Sequence, residues 1–132
     1  TCTECGRCTS ECPANLTGKK LSPRKIMMDT RDRLEEVSKN IDINGSFVDD
    51  GKMLVNDYIS PEELWACTSC NACTQACPVN IDPLSIIVDL RRYLVMEQSA
   101  APNELNMMMT NVENNGAPWQ FNNADRLNWA ND

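Results

Sequence analysis

The chain has 132 residues, a formal charge of −7 and a pI near 4.5, which is one domain's worth of sequence and too acidic for a nucleic-acid surface, since phosphate binding needs concentrated Lys and Arg. Aromatics make up only 5%, and the 42% hydrophobic fraction counts eight cysteines and seven methionines, so a thin core helped by something besides packing is expected. No signal peptide opens the chain, so a secreted disulfide scaffold is not expected and the thiols are read as reduced, in the cytoplasm.

The first element is a cysteine run, CTECGRCTSECP, placing Cys2, Cys5, Cys8 and Cys12 ahead of Pro13. The sequence does not open on Met, and a frayed terminus is a poor place for a metal ligand, so further chain is expected upstream. In LTGKKLSPRKIMMDTRDRLEEVSKN, Ser22 can cap a helix and Pro23 can occupy its first position. Ile26, Met27, Thr30, Leu34 and Val37 then share one face at helical spacing. Residues 41–58 carry turn signals at Asn44-Gly45 and Asp50-Gly51 and are read as a linker or small hairpin. Ser60-Pro61-Glu62-Glu63 is a capping box that opens a short helix and delivers Leu64 and Trp65 to the next cysteine.

The second run, CTSCNACTQACP, repeats the first with Cys67, Cys70, Cys73, Cys77 and Pro78. Asp82 and Pro83 repeat the helix start, and Leu84, Ile87, Leu90 and Leu94 line one face. The most apolar stretch, PLSIIVDLRRYLVM, is broken by Asp89, Arg91 and Arg92, so no span of roughly 20 apolar residues exists. PNELNMMMTNVENN is expected to form a third helix, before a polar tail holding Trp119 and Trp129. These elements predict an all-α chain, with residues 1–100 as the domain and 101–132 as a helix and tail of the same unit.

A C-x2-C-x2-C-x3-C-P run is the bacterial-type 4Fe-4S signature, in which three thiolates grip one cubane and the fourth ligates a second. By that rule Cys2, Cys5, Cys8 and Cys77 hold one cluster, and Cys67, Cys70, Cys73 and Cys12 hold the other. Zinc also accepts four thiolates, but its sites usually pair two separated C-x2-C knuckles; a zinc-stabilised interaction module is the alternative. On the cluster reading every iron has a cysteine and none is open to substrate. Histidine is absent, which removes Rieske ligation and the commonest acid-base residue. Electron transfer is the chemistry left, with no catalytic residue assigned. The basic stretch GKKLSPRK is read as a solvated first helical turn ahead of a patch that balances cluster charge. Met107, Met108 and Met109 splay around a helix and are read as filling gaps or an interface ahead of a soft metal site.

With SPRKI between the runs, LWACTSC entering the second and VNIDPL leaving it, the chain resembles the helical ferredoxin module of the C-type iron-sulfur subunit of heterodisulfide reductase. NNGAPWQFNNADRLNWA resembles the segment that leads, in longer relatives, towards a cysteine-rich catalytic region. The resemblance covers nearly the whole chain. It implies an alpha-helical ferredoxin, a pseudo-two-fold pair of cysteine loops and helices around two 4Fe-4S clusters, related to the C-terminal module of the succinate dehydrogenase iron-sulfur subunit. It also implies a redox protein partner or subunit in a heterodisulfide-reductase-like or quinone-linked dehydrogenase system. The CCG-type region that meets substrate in such systems is not in this sequence, so no catalytic activity carries over and that region is expected in a partner. Membrane association, at the inner face of the cytoplasmic membrane and through sequence or subunits outside this chain, is a further expectation of the resemblance.

Overall fold

A computed structural model describes residues 2–130. Seven α-helices are described: α1 Arg7–Ser10, α2 Pro13–Leu16, α3 Pro23–Asn44, α4 Pro61–Trp65, α5 Ala72–Gln75, α6 Pro83–Arg92 and α7 Asn103–Asn115. Among the described residues no strand forms, and a lone bridge joins Val55 and Ile59. The chain divides into two compact units, one ending at Tyr93 and one beginning at Leu94.

In the first unit the helix starts are those written in the sequence. Ser22 Oγ accepts the Lys25 amide at 3.2 Å, and Pro23 needs no hydrogen-bond partner at the first helical position. Asp82 Oδ1 does the same for α6, accepting the amides of Leu84 (2.9 Å) and Ser85 (3.2 Å) ahead of Pro83. The capping box of α4 is reciprocal: Glu63 N–H donates to Ser60 Oγ at 3.4 Å and Ser60 N–H to Glu63 Oε2 at 2.8 Å. α3 ends at Gly45, whose φ of 75° closes the helix in the left-handed conformation.

α3 packs against α6 and α1 against α5, so equivalent elements of the two halves face each other. Ile26, Ile59, Leu64 and Ile87 are fully buried in this unit. The face of α6 is as expected over the helix itself, with Ile87 buried and Leu84 and Leu90 half-buried, while Leu94 lies beyond its end at Arg92. That of α3 departs at one position: Leu34 is exposed and its neighbour Arg33 is buried instead. Arg33 tolerates burial because its fork meets Asp50, with Nη1 to Oδ2 at 2.6 Å and Nη2 to Oδ1 at 2.8 Å, and Nη2 also reaches the Lys52 carbonyl at 2.8 Å. A hydrophobic count cannot see that an ion pair with the following loop takes a core position.

That loop, residues 45–53, is irregular, and Leu54–Tyr58 is interrupted by left-handed Asn56 (φ 87°). The Tyr58 hydroxyl closes it back onto α3 by donating to Glu36 Oε2. In the second unit, α7 ends on Gly116 (φ 66°), and Arg126 Nη2 donates to the Gly116 carbonyl at 3.1 Å, tying the turn at Asn123–Ala130 to the helix end.

Candidate metal centres

Each cysteine run folds in the same way. The second spacer between the first two cysteines, Glu4 or Ser69, takes φ 57° in both runs. That turn aims its amide back at the first cysteine: Glu4 N–H donates to Cys2 Sγ and Ser69 N–H to Cys67 Sγ, both at 3.4 Å. A second left-handed residue, Gly6 (φ 81°) or Asn71 (φ 62°), then starts the single helical turn that carries the third cysteine. Gly and Asn are the residues that enter this region at least cost.

The runs are also fastened to the long helices alike. Thr9 Oγ1 shares a 2.8 Å hydrogen bond with the Ser22 cap, and Thr74 Oγ1 donates to the Asp82 cap at 2.9 Å.

Two cavities result. Cys2, Cys5, Cys8 and Cys77 line the first, whose space between atoms, partly open to solvent, is about 370 Å³. Cys12, Cys67, Cys70 and Cys73 line the second, of about 310 Å³. The eight cysteines thus line the two cavities four and four, the last cysteine of each run lining the cavity of the other run.

The remaining walls are matched. Arg24, Met27 and Pro83 face the first cavity, where their counterparts Leu84, Ile87 and Pro23 face the second.

The thiols differ in environment along each run. The Arg7 amide lowers the Cys5 thiol below its ordinary value, and the Ala72 amide, then the Thr68 hydroxyl, lower Cys70. Burial pushes Cys8 and Cys73 up. Metal coordination overcomes such a penalty because the bound form is the thiolate.

Soft thiolate donors suit iron-sulfur clusters and zinc alike, and the geometry separates them. Zinc needs four sulfurs about 2.3 Å from one point. Here each foursome is spread around a cavity, and among the described residues no three Cys, Asp or Glu side chains close on a single-ion site. The donor set, four thiols around each cavity and the amides aimed at sulfur fit a cubane in each.

Some of these contacts were not visible in the sequence. The amide donors depend on left-handed turns at Glu4 and Ser69, residue types that do not announce them. Arg24, read as part of a solvated basic stretch, lines the first cavity. Placing the two helix starts in register, Ser22-Pro23-Arg24 against Asp82-Pro83-Leu84, is the signal that could have drawn attention to it.

The family profile described as the 4Fe-4S dicluster domain matches residues 1–81. The chain is 34% identical to the probable iron-sulfur-binding oxidoreductase FadF of Bacillus subtilis, over 97% of this chain and 22% of that protein. It is 34% identical to the EtfAB:quinone oxidoreductase of Syntrophomonas wolfei, over 97% of this chain and 21% of the relative. It is also 32% identical to a subunit of the ferredoxin/F(420)H(2)-dependent CoB-CoM heterodisulfide reductase of Methanosarcina acetivorans, over 76% of this chain and 49% of the relative. The chain therefore spans between about a fifth and a half of the length of these relatives. No solved structure matches it significantly. Two sets of four cysteines on an all-α frame, together with this match, place the chain in the 4Fe-4S dicluster domain family, as an electron-transfer domain that carries two 4Fe-4S clusters.

Proposed function

We propose that the chain is the electron-relay module of a larger oxidoreductase, with Cys2, Cys5, Cys8 and Cys77 holding one cluster and Cys67, Cys70, Cys73 and Cys12 the other. The observation that carries this reading is the crossed sorting of the eight cysteines between two cavities. When bound, each cluster supplies single-electron storage without making or breaking bonds to a substrate. The protein's part is to bind, orient and exclude water. Left-handed turns set the cysteine spacing, amides donate to sulfur, and Leu21, Pro23, Leu84 and Ile87 close the second cavity with apolar surface.

Exchange of the fourth ligand also staples the two halves. Cys12 leads into α2 and Cys77 into the turn before α6, so neither foursome is complete unless both halves are folded together. The clusters therefore contribute folding free energy to a core short of aromatics.

The partner we propose is a redox protein or subunit, with a cysteine-rich CCG-type region as one source of the second centre. The ultimate substrate would be a disulfide, a hydroxy acid or a quinone. The relatives' names support this reading, one a quinone oxidoreductase and one a heterodisulfide reductase subunit. No helix among the described residues is long and apolar enough to cross a membrane, so placement at the inner face of a membrane would depend on segments or subunits outside this chain.

Iron and acid-labile sulfide in anaerobically prepared protein test the reading. About eight of each per chain are expected, as two 4Fe-4S clusters require. Stoichiometric zinc with no labile sulfide would overturn it in favour of a structural zinc module.

A further inference from the structure

The two halves are nearly equivalent, yet one polar group breaks the equivalence inside a cavity. Arg24 lines the first cavity, and its Nε–H is buried with no hydrogen-bond partner. Leu84 holds the matching place in the second cavity and has nothing to donate. The other buried side-chain N–H without a partner among the described residues, that of Trp65, belongs to a residue outside both linings.

We propose that Arg24 separates the reduction potentials of the two clusters: its buried Nε–H donates to a sulfur of the cluster in the first cavity, raising that potential so that this cluster is reduced first. The proposal rests on the assignment of the eight cysteines to two clusters given above. Reduction adds negative charge to the cluster and its sulfurs. A donor already in place stabilises the reduced form more than the oxidised one, and its burial strengthens the effect.

The paired arginines of the two long helices do not account for the difference. Arg31 and Arg91 hold equivalent places on α3 and α6. Arg31 pairs with Glu4 on the wall of the first cavity at 2.7 Å, and Arg91 donates to the carbonyls of Leu64 and Cys67, each at 2.6 Å. The Arg24 head is itself offset by Glu4, with Nη2 3.6 Å from Oε2. Arg7, which acts on Cys5 and has the uncharged Ala72 as its counterpart, leaves one further positive charge on the first side, so charge and donor are told apart by the Arg24→Lys variant below.

Two further asymmetries act in the same direction. Ile81 N–H donates to Cys77 Sγ of the first set at 3.3 Å, whereas the matching Leu16 amide is spent on the Cys12 carbonyl at 2.9 Å. Cys12 and Cys73 of the second set are both buried, and all four cysteines of the first are half-buried or exposed. Burial disfavours the extra charge of a reduced cluster, holding the second potential down.

The test is an EPR-monitored redox titration of the intact chain with both clusters. Cys5→Ser and Cys70→Ser first identify which signal belongs to which cavity. Arg24→Leu is expected to lower the midpoint of the Cys5-linked signal by an amount equal to roughly a tenfold fall in its reduction equilibrium constant, about 59 mV for one electron. The Cys70-linked midpoint should move by less than half as much. Arg24→Lys keeps the charge but removes the buried Nε–H, and the same fall is expected. A Lys variant with the wild-type midpoint would make the effect one of charge and overturn the hydrogen bond. So would unchanged midpoints in both variants, or equal shifts of the two signals. Arg24→Gln is a third variant, and loss of iron from all three would make Arg24 a structural residue and overturn the tuning role. If Cys5→Ser and Cys70→Ser alter the same signal, it is the cysteine assignment that fails, a result separate from any Arg24 outcome.

Discussion

Ile87 is fully buried on α6 and forms part of the wall of the second cavity, so truncating it tests packing and cluster protection together. Ile87→Ala removes three carbons from a site with no exposure, about 2.4 kcal/mol at about 0.8 kcal/mol per methylene. Incomplete collapse of the hole adds to this, within a usual range of about 2–5 kcal/mol for Ile to Ala. Unfolding releases the clusters, so the useful readout is a rate: the half-life of visible absorbance in anaerobic urea. If the Ile87 contacts are lost before the unfolding barrier, even about 2 kcal/mol shortens that half-life by roughly 30-fold. The opened wall should also let oxidants reach the second cluster first, seen as earlier loss of the Cys70-linked signal on exposure to air. A half-life within about twofold of wild type, with both clusters bleaching together, would refute the claim that this side chain seals the second cavity.

Asp50, Glu36 and Glu4 are all held below their ordinary values, Asp50 chiefly by the Arg33 fork, Glu36 by the Tyr58 hydroxyl and Glu4 by Arg31. Their stabilisation is complete above the unfolded-state values of about 4 and is lost as pH falls below them. The stability gap between wild type and Asp50→Asn should therefore begin to narrow as pH falls through about 4 and keep narrowing below it, and a gap that widened would contradict the sign. Gly6→Ala should cost about 1–2 kcal/mol through backbone alone, because an added Cβ meets nothing within 4 Å while φ stays at 81°. Asn71→Gly at the matching turn should be close to neutral in the same anaerobic melt.

Much of the site was legible because it depends on local chemistry. Cysteine spacing, the two prolines and the caps at Ser22, Ser60 and Asp82 each act over a few residues, and each sits where the sequence places it. The all-α class followed from those starts and from the apolar face of α6. What escaped were features created by distant parts meeting. Arg33 displaced Leu34 from the buried face of α3 because Asp50, many residues on, supplies a carboxylate. Arg24 reads as a solvated basic residue until the first cavity closes around its Nε. The amide donors at Glu4 and Ser69 arise from left-handed turns that neither residue type favours.

The central claim is the exchange of the fourth ligand, and Cys12 tests it most directly. Its thiol is buried in the second cavity, away from the first three cysteines of its own run. Cys12→Ala, prepared anaerobically and examined by EPR and Mössbauer spectroscopy, should lose or convert the cluster bound by Cys67, Cys70 and Cys73, with the signal linked to Cys5 intact. If the damage falls instead on the Cys5-linked cluster while the Cys70-linked one is unchanged, Cys12 ligates within its own run and the crossed arrangement is wrong.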